Sequence, residues 1–144
     1  MGAVHSARMG GRGKGRAGRE WDVMARILVS GLVNLETTVK VDAFPVPYFP
    51  VRYPFFGVAS SVSGVGYNVA RALQALGSSP LLLSLVASDL AGRQVRDALS
   101  RDGLDGFWVR DGARETAQSV VLYDGEGRRQ IHVDLKDVQE RSYP

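Results

Sequence analysis

The residues best equipped for chemistry lie in two short segments. Asn34 and Glu36 stand two positions apart just past an apolar run. In extended backbone that spacing puts an amide and a carboxylate on one face. A carboxylate only accepts hydrogen bonds, whereas an amide donates and accepts, so the pair could read ligand hydroxyls. The competing reading is a turn-forming Asn beside a solvated Glu. The second segment, Gly64-Val65-Gly66-Tyr67-Asn68, opens a helix-like run. Its glycines let backbone approach a ligand, and the helix start behind them offers unpaired N–H donors. Asn68 adds an amide, which suits a neutral polyhydroxylated ligand or an anion. The plainer alternative is a turn that merely caps a helix. A dinucleotide fingerprint would want a third glycine where Val69 stands, and no Gly-Lys-Ser/Thr follows to make a P-loop.

Other chemistry is poorly supplied. The chain has no cysteine, and its two histidines, His5 and His132, are far apart in sequence, so disulfides, thiolate sites and a histidine-rich metal centre are not expected. A cytoplasmic protein is the natural expectation. The net charge of +3 resides in residues 1–22, where Arg8, Arg12, Lys14, Arg16 and Arg19 face only Glu20 and Asp22. The rest of the chain is balanced. Residues 1–23 are Gly/Arg-rich, without hydrophobic period, and are expected to be a disordered tail. An RGG-like nucleic-acid arm would want aromatic residues to stack on bases, and none precedes Trp21, so nucleic acid is not the expected partner. Met24, directly before the first apolar run, reads as the biological start, with the tail a translated upstream stretch.

The elements that must position these residues alternate in type. Ile27–Val33 is a short apolar run ending at Ser30-Gly31, as a buried parallel strand would. Positions 36–43 alternate like a strand with one wet face. Four prolines between Phe44 and Pro54 demand an extended excursion with turns, and 56–63 returns as a strand. Val69, Leu73 and Leu76 recur at helical spacing, and Gly77 stops the helix. Residues 81–86 form a second buried strand, and 90–99 a second amphipathic helix with Val95 and Leu99 inward. A third strand is expected at 107–109. Segments 119–123 and 130–134 flank Asp124-Gly125-Glu126-Gly127, a hairpin turn. Strand and helix in alternation give an open α/β fold with a parallel sheet and helices on both faces. The β-rich interruptions 36–63 and 117–134 are expected to join in one small sheet over the carboxyl edge, where such folds bind ligands. No run is apolar and long enough for a membrane span.

These motifs, in this order, resemble the N-terminal half of ribokinase-type (PfkB-family) kinases. Gly31-Leu-Val-Asn34-Leu-Glu36, followed by Val41-Asp42-Ala43-Phe44-Pro45, is similar to the family's opening strand and first lid strand. Ser63-Gly64-Val65-Gly66-Tyr67-Asn68-Val69-Ala70 with Gly77 resembles the first PfkB signature. Asp89 with Gly92 resembles the acidic turn before the next helix, and 116–127 the second lid hairpin. The resemblance implies an α/β ribokinase-like domain over 24–144, with lid segments 36–63 and 117–134. Asn34 and Glu36 would bind substrate hydroxyls, Gly64, Val65 and Gly66 would line the substrate through backbone, and Asn68 would contact it by side chain. Glu36 stands where many relatives have Asp, Val65 where ribokinases have Lys, and Ala87 where the signature has Gly.

By the same resemblance the function is the substrate-binding portion of a kinase. It would carry the ATP γ-phosphate to a hydroxyl of a sugar, nucleoside or related small alcohol. The family uses ATP and Mg, and supplies a catalytic Asp from a Gly-rich helix start that nothing in these 144 residues matches. No catalytic residue, nucleotide site or metal ligand is therefore assigned, Asp134 and Asp137 read as loose turn carboxylates, and the chain alone is expected to be inactive. Partners would be the small-molecule substrate and either a second copy, paired through the lid, or a complementary C-terminal half. The aromatic cluster Phe44, Tyr48, Phe49, Tyr53, Phe55 and Phe56 is a candidate for that contact. The alternative function is a non-catalytic polyol-binding or dimerisation module.

Overall fold

The computed structural model describes residues 27–144. The readings of the 1–23 tail and of Met24 lie outside the described residues. In chain order the regular elements are β1 (Leu28–Ser30), β2 (Asn34–Lys40), β3 (Val58–Ser63), α1 (Val65–Ala75), β4 (Leu81–Val86), α2 (Leu90–Arg101), β5 (Val109–Asp111), β6 (Gln118–Tyr123) and β7 (Arg129–Asp134). They form two sheets.

The first sheet is parallel, in the order β1-β4-β5, with Leu28 opposite Leu81 and Ser84 opposite Val109. Strand side chains alternate between faces. Val29, Leu82, Val86 and Val109 therefore share one face, and they are buried with Tyr67 and Ala70 of α1 and Val95, Ala98 and Leu99 of α2. Both described helices cover this face. On the opposite face, Leu83 and Leu85 line a cavity of about 320 Å³ with Leu135, Val138 and Tyr143 from the end of the chain. The expected open α/β fold is present. Its second face is covered here by an irregular segment.

The inward face of α2 matches the sequence pattern, since Val95 and Leu99 are fully buried. That of α1 matches only at Leu73, which packs partly buried against the core. The helix begins four residues earlier than the apolar spacing suggested, and its buried residues are Gly66, Tyr67 and Ala70. Val69 is 43% exposed and Leu76 82%. The cause is a close approach. A Cβ on Gly66 would stand 2.7 Å from the carbonyl carbon and oxygen of Gly31, so only glycine lets α1 rest on the chain leaving β1. That contact fixes the rotation of the helix and turns Val69 and Leu76 outward.

The second sheet has the order β3-β2-β6-β7. Its two central strands are parallel, because each is fed from the carboxyl end of a strand in the first sheet, β2 after β1 and β6 after β5. The outer strands return antiparallel. The two interruptions thus join in one small sheet, as their patterns suggested. Asp124 makes the β6–β7 turn: it accepts from the Glu126 and Arg128 N–H groups at 3.0 Å and from Arg128 Nε at 2.7 Å. Burial opposes its charge, but these donors hold its carboxyl below the usual range. The excursion 44–56 has no strand, in keeping with its prolines. Arg52 ties it down by pairing with Asp42 and lying 4.6 Å over the Phe49 ring. The strand expected at 107–109 instead starts at Val109. Residues 106–108 form a tight helical turn, since Asp105 Oδ1 accepts from the Phe107 N–H at 2.9 Å.

Candidate functional site

The crossing from β1 to β2 takes three residues, 31–33, and Asn34 is the first residue of β2. Strand register then sets the neighbours. Asn34 lies opposite Ser63, and Glu36 lies between Ser61 on β3 and Ser119 on β6. All five residues share one face of the small sheet, at the end nearest the first sheet's carboxyl edge.

On that face three side chains form a continuous chain of hydrogen bonds. Asn34 Nδ2 donates to Ser119 Oγ at 2.7 Å, and Ser119 Oγ donates to Glu36 Oε2 at 3.2 Å. Asn34 and Ser119 are 3% and 4% exposed. Glu36 is half-buried. Asn34 Oδ1 looks toward Gly64, 2.9 Å from where a Cβ there would stand. Gly64 is the residue just before α1 and has φ 105, a conformation that side chains resist. A Cβ at Gly64 would also press on the Leu32 carbonyl oxygen. The structure therefore brings Asn34, Glu36 and Gly64 together, as the sequence suggested.

The other three sequence candidates sit differently. Gly66 is committed to the β1–β2 crossing: its N–H donates to the Leu32 carbonyl at 3.0 Å, and its Cα faces Gly31. One of the donors expected at the helix start is thus already used. Val65 is 74% exposed on the first turn of α1, and Asn68 is exposed one turn on. Among the described residues no hydrogen bond joins the Asn68 side chain to the Asn34–Ser119–Glu36 chain.

Ser119 is the residue that sequence reasoning missed. Nothing local marks it; only the parallel register of β2 and β6 reveals that it faces Glu36.

Behind this face, Asp89 anchors the approach to β6. It caps α2 by accepting from the Gly92 N–H at 2.7 Å, and it accepts from the Thr116 N–H at 2.9 Å and hydroxyl at 2.7 Å. Thr116, fully buried, in turn accepts from the Ala87 N–H at 2.9 Å. Partial burial works against the Asp89 charge, but the donors from Thr116 and Gly92 outweigh it and lower its carboxyl pKa. The start of α2 and the entry to β6 thus meet at one carboxylate, and the chain leaving β4 joins them through the Thr116 hydroxyl.

Asp134 and Asp137 are not loose. Asp134 binds Lys136 Nζ at 2.8 Å, while Asp137 accepts from the Arg114 N–H at 3.0 Å and from Arg141 Nε at 2.6 Å. Among the described residues no three His, Asp or Glu side chains are grouped to hold a metal ion. No described helix is long and apolar enough to cross a membrane.

Comparison with known proteins agrees with this fold. The family model for pfkB family carbohydrate kinases matches residues 24–143. The bifunctional protein HldE of Caulobacter vibrioides is 32% identical over 117 residues, 81% of this chain and 22% of that protein. Among solved structures, the microbiome-derived acarbose kinase Mak1 superposes with a TM-score of 0.66 at 26% identity, over 75% of this chain and 35% of that one. Arabidopsis thaliana ribokinase, solved with ribose and ATP, gives 0.61 at 19% identity over 76% and 35%. The chain therefore spans about a fifth of its curated relative and about a third of each kinase structure. With the family model matched over residues 24–143, most of the chain, the chain belongs to the pfkB family of carbohydrate kinases.

Proposed function

We propose that this chain is the acceptor-binding part of a kinase that moves the γ-phosphate of ATP to a hydroxyl of a sugar, nucleoside or related small alcohol. The observation that carries the reading is the Asn34–Ser119–Glu36 chain beside Gly64, with Asn34 and Ser119 buried on a sheet whose outer strands are largely exposed. Buried polar groups that cluster on one face of a sheet edge fit a ligand rich in hydroxyls. Asn34 and Glu36 are assigned as hydroxyl ligands and Asn68 as a further amide. Gly64 and Val65 form the backbone wall, and Gly66 holds the helix against the crossing. The small sheet acts as the cover that keeps water from the reacting oxygen.

ATP and Mg belong to the activity of the whole protein, of which this chain matches about a third by comparison with solved kinases. The 144-residue chain alone is expected to bind the acceptor without turning over ATP, and a cytoplasmic, ATP-supplied setting suits the reaction. The test is calorimetric titration of the chain with a panel of pentoses, hexoses and nucleosides, beside Glu36→Ala. Binding of one ligand class by the chain, lost in the variant, supports the reading. Equal binding by chain and variant, or no binding by a protein carrying the whole family domain, overturns it.

A second reading has its own observation. Tyr48, Tyr53, Phe55 and Phe56 are strongly exposed on the 44–56 excursion, next to the small sheet. A patch of this kind marks an interaction surface. It supports a module that pairs with a second copy, or with a complementary C-terminal half, whether or not it also takes part in catalysis.

A further inference from the structure

The hydrogen-bond chain has a direction, and the direction is fixed by its far end. The Glu36 carboxylate can only accept, so the bond between it and Ser119 must use the Ser119 proton. With that proton spent, Ser119 Oγ can only accept from its other neighbour. Asn34 must then present its NH2 to Ser119, as it does at 2.7 Å, and turn its Oδ1 the other way, toward Gly64. A serine hydroxyl is the one small group that can both donate and accept here. Alanine would leave the amide free to flip.

We infer that Ser119 is a positioning residue that fixes the Asn34 amide with its Oδ1 outward, so that it stands beside the Glu36 carboxylate as a second hydrogen-bond acceptor. This rests on the acceptor-binding reading above and deepens it. The ligand must then supply hydrogens to both Asn34 Oδ1 and Glu36, which two neighbouring hydroxyl groups do. A carbonyl, an ether or an anion at either position would meet acceptor against acceptor.

Two features favour this reading over simple packing. Asn34 and Ser119 are almost fully buried, so a reversed amide would bury an uncompensated clash of like dipoles. The two residues lie 85 positions apart on separate elements, so no local turn requires the bond.

The test uses the full chain and an isosteric pair. Ser119→Thr keeps the hydroxyl, whereas Ser119→Val matches its shape without it; Ser119→Ala is the plain deletion. The first readout needs no ligand: exchange of the Asn34 side-chain NH2 with solvent, followed by NMR. In the wild type and Ser119→Thr the NH2 is protected. In Ser119→Val and Ser119→Ala exchange speeds by about tenfold or more, while the backbone spectrum stays folded. Equal protection in the Thr and Val variants overturns the assignment, and this pair decides it even if the Ala variant fails to fold. The second readout compares D-ribose with 2-deoxy-D-ribose, and inosine with 2′-deoxyinosine. The paired-hydroxyl member binds at least about tenfold tighter in the wild type, and that preference collapses in Ser119→Val. Protection that depends on the hydroxyl together with a preference unchanged in Ser119→Val would overturn the polarity argument. Absence of binding by either pair, with protection still dependent on the hydroxyl, would instead count against the acceptor reading and leave the role of Ser119 standing.

Discussion

Gly66 lies so close to Gly31 that a single added methyl would meet the Gly31 carbonyl at 2.7 Å. The neighbour is backbone and cannot swing aside. Alanine in a helix gains up to about 1 kcal/mol over glycine by propensity. Overpacking against a rigid partner costs about 1–3 kcal/mol or more. The clash wins. Gly66→Ala is expected to lower the midpoint of urea unfolding, whereas Gly125→Ala, where a Cβ meets nothing within 4 Å, is expected to leave it unchanged or raise it. A stabilising Gly66→Ala would mean that α1 does not rest on the β1–β2 crossing.

Tyr67 is buried with its hydroxyl bonded to Asp102, which also pairs with Arg71 Nε at 3.1 Å. Donation from the phenol is the main cause that holds the Asp102 carboxyl below its usual range; burial opposes it, and Arg71 and Arg101 add to it. The same burial and bond raise the Tyr67 phenol pKa. Tyr67→Phe removes the donor and keeps the ring. Thermal unfolding should show a loss of about 0.5–1.5 kcal/mol, and NMR titration should show the Asp102 carboxyl moving up toward an ordinary value. An unmoved Asp102 titration would assign its lowering to the arginines alone.

Asp89 gives the fold an acid limb. Its carboxyl pKa is lower folded than unfolded, so its contribution is fully present above the unfolded value of about 4. That contribution is lost as pH falls through the lower folded value. Asp89→Asn would still accept from Gly92 and the Thr116 hydroxyl at one oxygen, but its NH2 would face the Thr116 N–H. At neutral pH the variant should be less stable by about 1–3 kcal/mol, and its unfolding free energy should change less with pH below 4 than that of the wild type. Asp102, Asp124, Asp134 and Asp137 are lowered in the same direction, so part of the acid dependence remains in the variant. Parallel curves for variant and wild type below pH 4 would remove Asp89 from this role.

Phe55 and Phe56 are among the most exposed apolar side chains described, so replacing them should cost the fold little. If the excursion pairs with a second copy, Phe55→Ser/Phe56→Ser is expected to shift sedimentation velocity from dimer to monomer without lowering the unfolding midpoint. A wild-type chain that sediments as a monomer at high concentration would exclude self-pairing through this patch.

How much of this could be read from the chain alone depended on the range of each signal. The seven strand segments, the turn at Asp124 and the inward face of α2 follow from local alternation and spacing, and all are found with shifts of a few residues at their ends. The union of both β-rich interruptions in one sheet followed from their common position after strand ends. The inward face of α1 followed only at Leu73. Leu73 and its neighbours carry a helical period, yet the rotation of the helix is set by a glycine contact 35 residues away in sequence. Ser119 was hidden for the same reason. Its meaning lies in the pairing of Glu36 with Ser119, a relation between two parallel strands that neither strand displays alone. Asp134 and Asp137 were read as loose because their partners, Lys136, Arg114 and Arg141, are common surface residues whose directions only the fold sets.

The central pair of the small sheet, β2 and β6, carries Asn34, Glu36 and Ser119, while β3 and β7 only flank it. The β6–β7 turn, where a Cβ at Gly125 or Gly127 would touch nothing, is correspondingly remote from the polar chain. That loop is a natural handle. A fluorophore or affinity peptide attached there would report on the sheet from outside while leaving the buried bonds between the two inner strands undisturbed.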